Sequence, residues 1–383
     1  MRVLHFIPVY APAWHFGGPV LSVSRVCEGL VQKGVDVRVI TTNAGLPNIP
    51  ASQLGIPQNV NGVEVIYYPV DKQHGPIKSR LLIDSLPDHM AWADLLHMSS
   101  IWQPLGLPVQ QAAHCAEVPV IQTLRGALGP YSWRRGWWKK LPYFLFLERP
   151  LLQRVAAIHC TTAQEAREIK WLRLKQHIEV LSNPIDLSKF YSDTSIRADW
   201  RRNNRIHDSE VLFIVAGRLH HKKGLDLLPK ALQSIRKYPW QLVIIGDDAD
   251  GSGIRLRRAL KSCGLLERCH WLASVPSSEL IGPLNAADWL LLPSRHENFG
   301  NIVIEALASG CGVAVSNSVG VREALASCPG IRNGIRTTDT WTNILKDLLD
   351  SQRPGTSSES WVKERFSQQA VVSQLLTLYD RII

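Results

Sequence analysis

The sequence predicts an α/β protein built from two doubly wound domains that face a cleft, and three observations predict it. A length of 383 residues favours two hydrophobic cores over one. Short apolar, β-rich runs alternate with helix-length stretches, the pattern of parallel sheets covered on both faces. The runs also fall into two series, separated near "SNPIDLSKFYSD" (182–193). The expected domains are 1–184 and 185–365, with 366–383 expected as a terminal helix that crosses back to the first domain.

In the first series the strand candidates are "RVLHFIP" (2–8), "VDVRVIT" (35–41), "VEVIYYP" (63–69), "DLLHMSS" (94–100), "VPVIQTL" (118–124), "AAIHCTT" (156–162) and "IEVLSNP" (178–184). The second series holds "EVLFIVAG" (210–217), "WQLVIIG" (240–246), "CHWLAS" (269–274), "DWLLLPS" (288–294) and "GVAVSN" (312–317). The segment "WVKERFSQQAVVSQLLTLYDRII" (361–383) carries apolar residues at helical spacing. No apolar run approaches the roughly 20 residues that span a bilayer. The start, "MRVLHFIPVYAPAWHFGG", reads as a first strand and its loop and not as a signal peptide. Seven scattered cysteines without a Cys-x-x-Cys pair suit reduced thiols in a cytoplasm. Lys plus Arg is 43 against 33 for Asp plus Glu, a formal charge of +10, so an anionic partner is expected: phosphorylated substrate, anionic lipid or nucleic acid. No recognition motif accompanies that charge, which disfavours nucleic acid.

Ligands of doubly wound folds bind beyond the carboxyl ends of strands, so loops that follow strands carry the chemistry. "RHENFGNIVIEALASGCG" (295–312) follows the strand "DWLLLPS". It places Glu297 in the loop and Glu305 about one turn into a helix that starts near Asn301 and stops at Gly310. The first-turn amides of that helix offer an anion seat, and two carboxylates beside it would accept hydroxyl hydrogen bonds, a fit for a sugar phosphate. A capping acid plus a surface acid is the alternative. "VAGRLHHKKGLDLL" (215–228) likewise puts Arg218 and Lys223 after a buried strand. Two fixed cations there can offset charge on a diphosphate; a solvated basic loop is the alternative. "PAWHFGGPV" (12–20) brings Gly17 and Gly18 to the loop after the first strand. They permit close backbone approach but make no Gly-x-Gly-x-x-Gly fingerprint.

Together these stretches resemble the family 4 retaining glycosyltransferases of GT-B architecture, two Rossmann-like domains facing a cleft. Weaker agreements run through "LLHMSSIWQP" (95–104), "TLRGALGPYSW" (123–133), "TTAQEAREI" (161–169) and "LSNPIDLSKF" (181–190), so the resemblance covers nearly the whole chain. It implies an acceptor-side first domain and a donor-binding second domain. It also implies transfer of a hexose from a UDP- or GDP-linked sugar to a glycan or lipid-linked acceptor of bacterial surface polysaccharide or lipopolysaccharide. By the resemblance, Arg218 and Lys223 bind the donor diphosphate, Glu297 contacts the donor sugar and Glu305 holds the ribose hydroxyls. Gly300 and Asn301 offer backbone amides to sugar or phosphate, Gly17 and Gly18 close over the phosphates, and the main chain at Val275 meets the base. No metal or other cofactor is required, because the leaving diphosphate helps to remove the acceptor proton.

One departure stands out. Relatives place a histidine in the first-domain loop that here reads "TLRGALG", with Arg125 at the corresponding loop; Arg125 and His97 are expected to contact sugar or acceptor, with a structural role as the alternative for His97. "GDDAD" (246–250) has a rival interpretation as a divalent-ion site. The stretch "WRRGWWKKLPYFLFLERP" (133–150) interleaves Arg134, Arg135, Lys139 and Lys140 with aromatic residues. It suggests peripheral contact with an anionic membrane at the inner face of the cytoplasmic membrane, or else a core helix with a basic exposed side. A non-catalytic nucleotide-sugar-binding protein and a GT-B epimerase or phosphorylase remain the competing functions.

Overall fold

The computed structural model describes residues 1–383 except Gln73, Ser100, Arg135, Ser277 and Ser278. The chain divides into two compact units, Met1–Pro184 with Gln368–Ile383, and Ile185–Ser367.

Unit 1 holds strands β1 (Arg2–Val9), β2 (Asp36–Thr42), β3 (Pro57–Val60), β4 (Val63–Tyr68), β5 (Leu95–Met98), β6 (Val120–Thr123), β7 (Ala157–Cys160) and β8 (His177–Val180). They form one sheet in the order β3-β4-β2-β1-β5-β6-β7-β8. Strands β5, β6 and β7 are buried throughout, because helices cover both faces. Alternation along β1 sends Leu4 and Phe6 into a cluster with Leu82, Leu86 and Met90, while Val3 and Ile7 face Val23, Cys27 and Leu30. The terminal helix Gln368–Asp380 adds Val372, Leu375 and Leu378 to that second cluster.

Strand β3 has no counterpart among the sequence-based candidates. It pairs antiparallel with β4, Val60 opposite Val63 across Asn61 and Gly62. Both turn residues have positive φ, 52° and 87°, the backbone that a two-residue hairpin demands and Asn-Gly supplies. Pro57, Gln58 and Asn59 are poor strand formers, which hid the strand. The Asn-Gly pair between valines was the available signal.

Unit 2 holds β9 (Val211–Ala216), β10 (Trp240–Ile245), β11 (Cys269–Leu272), β12 (Trp289–Leu292), β13 (Gly312–Ser316) and β14 (Ile331–Gly334). Their order is β11-β10-β9-β12-β13-β14 and all pairings are parallel. Leu212 and Ile214 pack to one face, Phe213 and Val215 to the other. Edge strand β14 also escaped sequence-based detection, since "IRNG" is polar and only half-buried. The strand order reverses between β1 and β5 in unit 1 and between β9 and β12 in unit 2. These are the switch points where such folds bind ligands. Within unit 2, Arg201 is 1% exposed and donates to the carbonyls of Ala286 (2.9 Å), His207 (2.6 Å) and Glu210 (2.6 Å). It ties the helix Thr194–Asn203 to the entrance of β12. All seven cysteines are free thiols.

Candidate functional site

The loops after β9 and β12 meet at the unit 2 switch point. Leaving β9, the chain passes exposed Arg218 and forms a short 3-10 turn at His221–Lys223, where the His220 imidazole accepts from the Lys222 amide at 3.2 Å. Gly224 then takes φ 63°, and a Cβ there would stand 2.2 Å from the Pro293 carbonyl oxygen and 2.5 Å from Arg336 Nε. The glycine of "KKG" is thus required both by its backbone and by the close approach of the β12 loop.

That approach is braced by side chains that local spacing did not single out. Arg336 donates to the Pro293 carbonyl (3.1 Å), the Gly224 carbonyl (3.0 Å) and Asp226 (2.5 Å), and Asp226 also receives Arg295 at 2.9 Å. The two cations hold the Asp226 carboxyl below its usual range against the opposing effect of burial, which is the largest single contribution. The loop after β13 supports the other side: Glu297 N donates to the Ser318 carbonyl (3.0 Å) and Gly320 N to the Glu297 carbonyl (2.9 Å).

Between these braces Lys223 Nζ lies 2.6 Å from Glu297 Oε2, with both side chains about one-fifth to one-quarter exposed. Arg218, by contrast, has no ion pair among the described residues. Gly300 caps the helix Asn301–Ala308 at φ 98°, and no side chain occupies the cap hydrogen bond. The first-turn amides therefore point out of the helix end beside Glu297. Glu305 lies one turn inside and is buried at 5% exposure, so the two acids of this stretch differ sharply in access. Val275 follows β11 and is half-buried against the unit 2 core.

In "GDDAD" the carboxylates serve the backbone. Asp247 accepts from Ser274 N (3.3 Å), Asp248 from Ile254 N (2.9 Å), and Asp250 from His221 N (3.0 Å) and Ser252 N (3.2 Å). His220, His221 and Asp250 nevertheless bring one ligand atom each within 4.8 Å of one another. His220 Nδ1 accepts an amide proton, which leaves the proton of a neutral ring on Nε2, the nitrogen that faces Asp250 at 3.6 Å. That tautomer turns an N–H toward the carboxylate and opposes metal ligation through Nε2.

In unit 1, Gly17 caps the helix Gly18–Gln32 at φ 90° in the loop after β1. Arg125 follows β6 in the left-handed region at φ 52°. Its Nη1 donates to Ser22 Oγ (2.7 Å) and Asn183 Oδ1 (3.3 Å). His97 is placed otherwise than expected. It is 3% exposed, its Nδ1 is 2.6 Å from the Tyr379 hydroxyl and its Nε2 is 2.7 Å from Thr123 Oγ1. With both ring nitrogens spent inside the unit, the expected sugar or acceptor contact at His97 does not fit. Thr123 Oγ1 also meets His159 Nδ1 at 2.9 Å, and the His5 ring lies 4.8 Å from that of His97. Burial lowers all three imidazoles, His5 to about 3 and His159 to about 4, so this layer is neutral at pH 7.

The aromatic stretch is two-sided. Phe144 is buried and Trp133 packs on the unit 1 core, while Lys140 turns back to the Ser132 carbonyl at 2.5 Å. Trp137, Trp138, Leu145, Phe146 and Leu147 are exposed, Phe146 at 78%, with Arg134 and Lys139 also exposed. Arg135 lies outside the described residues. Phe144–Glu148 is one π-helical turn, whose inward Glu148 accepts from Trp102 N at 2.9 Å. Among the described residues no helix is long and apolar enough to cross a membrane.

Two doubly wound units, the second with charged loops at its switch point, match the GT-B architecture. Comparison with known proteins agrees. Residues 196–337 match the family described as glycosyl transferases group 1, and 17–184 match the glycosyl transferase 4-like domain. The chain belongs to the group 1 glycosyltransferases of the family 4-like type. It is 26% identical over 362 residues to a D-inositol 3-phosphate glycosyltransferase of Nocardia farcinica, covering 87% of this chain and 77% of that one. It is 23% identical over 337 residues to an uncharacterised glycosyltransferase of Methanocaldococcus jannaschii, covering 81% and 79%. Among solved structures, HepE of Anabaena in complex with UDP superposes with a TM-score of 0.77 at 16% identity over 100% of both chains. Sucrose-phosphate synthase of Thermosynechococcus elongatus gives 0.75 at 18% identity over 99% and 98%.

Proposed function

We propose that the protein is a retaining hexosyltransferase that uses a UDP- or GDP-linked donor to extend a glycan or lipid-linked acceptor of bacterial surface polysaccharide or lipopolysaccharide. The observation that carries this is the 2.6 Å Lys223–Glu297 pair at the unit 2 switch point, with exposed Arg218 on the same loop. An arriving diphosphate offers Lys223 a stronger anion than Glu297 and frees that carboxylate to accept sugar hydroxyls. Arg218 supplies a second cation, and the amides at Gly300 and Asn301 a third set of donors. Glu305 is the ribose contact and Val275 the base contact in this proposal. The charge on the leaving diphosphate is then offset by fixed cations, and its own oxygen takes the acceptor proton as attack occurs on the same face. No step calls on a metal.

Relatives support the substrate class: the HepE structures hold UDP or UDP-glucose, and the Nocardia relative is named for D-inositol 3-phosphate. A lipopolysaccharide role draws on WaaG, a glycosyltransferase of that biosynthesis, with a TM-score of 0.65 at 17% identity. Thermal shift in EDTA against UDP-, GDP- and ADP-sugars is the test. One donor at 100 times its dissociation constant should add about 2.7 kcal/mol of stability. No stabilisation by any sugar nucleotide would reject the proposal, stabilisation only with added divalent ions would reject metal independence, and binding without turnover would favour a non-catalytic binder.

The exposed Trp137, Trp138, Leu145, Phe146 and Leu147 beside Arg134 and Lys139 favour peripheral binding to an anionic bilayer, which would keep the protein at the inner face of the cytoplasmic membrane. Such a patch exceeds what scattered surface apolar residues explain. Replacing Trp137, Trp138 and Phe146 by Ser should release the protein from vesicles containing phosphatidylglycerol in a flotation assay, and unchanged flotation would remove the membrane role.

A further inference from the structure

We infer that Arg125 is an anion receptor of unit 1, set to take a carboxylate or phosphate carried by the sugar or the acceptor. Naming that substrate class rests on the glycosyltransferase proposal; the receptor itself rests on the geometry of the guanidinium.

The positive φ of Arg125 directs its side chain across the carboxyl end of the unit 1 sheet, to the first turns of the helix Gly18–Gln32 on one side and Asn183 on the other. Both anchors grip one corner, Nη1, and both are neutral. Ser22 spends its own hydroxyl proton on the Gly18 carbonyl (2.9 Å) and so meets Arg125 as an acceptor. Neutral anchors fix the plane of a guanidinium without cancelling its charge.

The opposite edge is unpartnered among the described residues. Nε is sealed from solvent and has no partner, and Nη2 has none among the described residues without being sealed. Nε–H and Nη2–H run parallel on that edge and form the side-on fork that clasps a carboxylate or phosphate through two bonds. The carboxylate that attracts it from within the unit, Glu165, is committed elsewhere. Its Oε1 accepts from Gly126 N, and its Oε2 from Thr161 N (2.7 Å) and Thr161 Oγ1 (3.0 Å). Glu165 thus lends Arg125 attraction at a distance but no hydrogen bond. His5, His97 and His159 lie nearby in neutral form and add no competing charge.

A half-buried guanidinium whose sealed Nε–H has no partner carries a desolvation cost that an anion on that edge would offset. Burial lowers this guanidinium to about 10, far enough from neutrality that it stays charged at pH 7. Lysine would supply charge without the fork, and a neutral side chain would bond Ser22 and Asn183 as well. The arrangement gains its sense when an anion completes it. Neutral sugars offer hydroxyls to such a fork, which are weaker partners than an anionic oxygen.

The test compares wild type with Arg125→Met and Arg125→Lys by calorimetric titration. The probes are inorganic phosphate, glucose, glucuronate, glucose 6-phosphate with UDP present, UDP-glucose and UDP-glucuronate. Wild type should bind at least one anionic probe roughly 10- to 100-fold more tightly than its neutral counterpart. Arg125→Met should erase that preference, Arg125→Lys should keep a fraction of it, and UDP alone should bind all three proteins equally. Preference for UDP-glucuronate over UDP-glucose assigns the anion to the donor sugar, whereas preference confined to glucose 6-phosphate assigns it to the acceptor. The inference fails if wild type ignores every anion. It also fails if Arg125→Met merely lowers the melting temperature while each preference persists, which would make Arg125 a structural pin. Failure of UDP to bind any of the proteins would strike the glycosyltransferase proposal instead, and the phosphate arm would still judge Arg125.

Discussion

The carboxyl ends of the two sheets handle charge in opposite ways. In unit 2 the strands β9 and β12 are apolar to their last residues, and the charged groups stand on the segments beyond them, Arg218, Lys223, Asp226, Arg295 and Glu297, with Arg336 joining from the segment after β14. In unit 1 polar side chains sit inside the sheet itself. His5, His97, Gln122, Thr123 and His159 belong to strands and are nearly inaccessible. Charges on loops can change partners when a ligand arrives at little cost to the fold. Polar groups within strands are bonded to one another and couple the fold to protonation.

Three changes would break or sharpen that contrast. The largest effect belongs to the loop pair: Lys223→Ala should lower turnover by about 100-fold, the loss of one electrostatic stabiliser. A partly exposed pair contributes little to stability, so chemical unfolding should move by less than about 1 kcal/mol. Stability loss with intact turnover would reverse the assignment of unit 2.

Next comes acid. The folded state keeps His5, His97 and His159 neutral below their ordinary pKa near 6.5, while the unfolded chain takes up protons there. Their stability is complete above pH 6.5 and is lost as pH falls toward 4, by as much as roughly 1.4 kcal/mol per pH unit for each group. His159→Gln should flatten the denaturant midpoint plotted against pH between 4 and 6.5; an unchanged slope would show that the layer is not what titrates.

The smallest effect runs the other way. Burial raises Glu148 to about 7, although the Trp102 amide pulls it down. Its carboxyl favours the folded state while protonated, so its contribution is present below about pH 4.5 and fades as pH rises to 7. Glu148→Gln keeps an acceptor for Trp102 N and should make the protein more stable than wild type at pH 8 but not at pH 5. Equal midpoints at pH 8 would refute the buried-acid assignment.

The same contrast governs what could be read from the sequence. In unit 2 each chemical loop follows its strand directly, so "GRLHHKKG" and "HENFGNIVIEALASG" announced themselves locally, and the strands around them were legible as apolar runs. What remained hidden there was the bracing by Asp226 and Arg336, two residues separated by 110 positions whose contact only the fold creates. In unit 1 nearly everything depends on distance along the chain. Arg125 meets Ser22 across 103 residues and Asn183 across 58, and His97 meets Tyr379 across 282. No spacing rule encodes such pairs, so His97 was expected at a ligand and is instead enclosed. The terminal helix was legible from its periodicity, but the hydroxyl that it delivers to a histidine was not.

That hydroxyl has a consequence for how the protein is made. Tyr379 enters unit 1 from a helix that follows the whole of unit 2 in sequence. A nascent chain that has left the ribosome only as far as Ser367 possesses every strand of the first sheet yet lacks the partner of His97 Nδ1 and the cover supplied by Val372, Leu375 and Leu378. The first unit to begin synthesis is therefore the last to be finished, because its covering helix is translated only after the whole of unit 2.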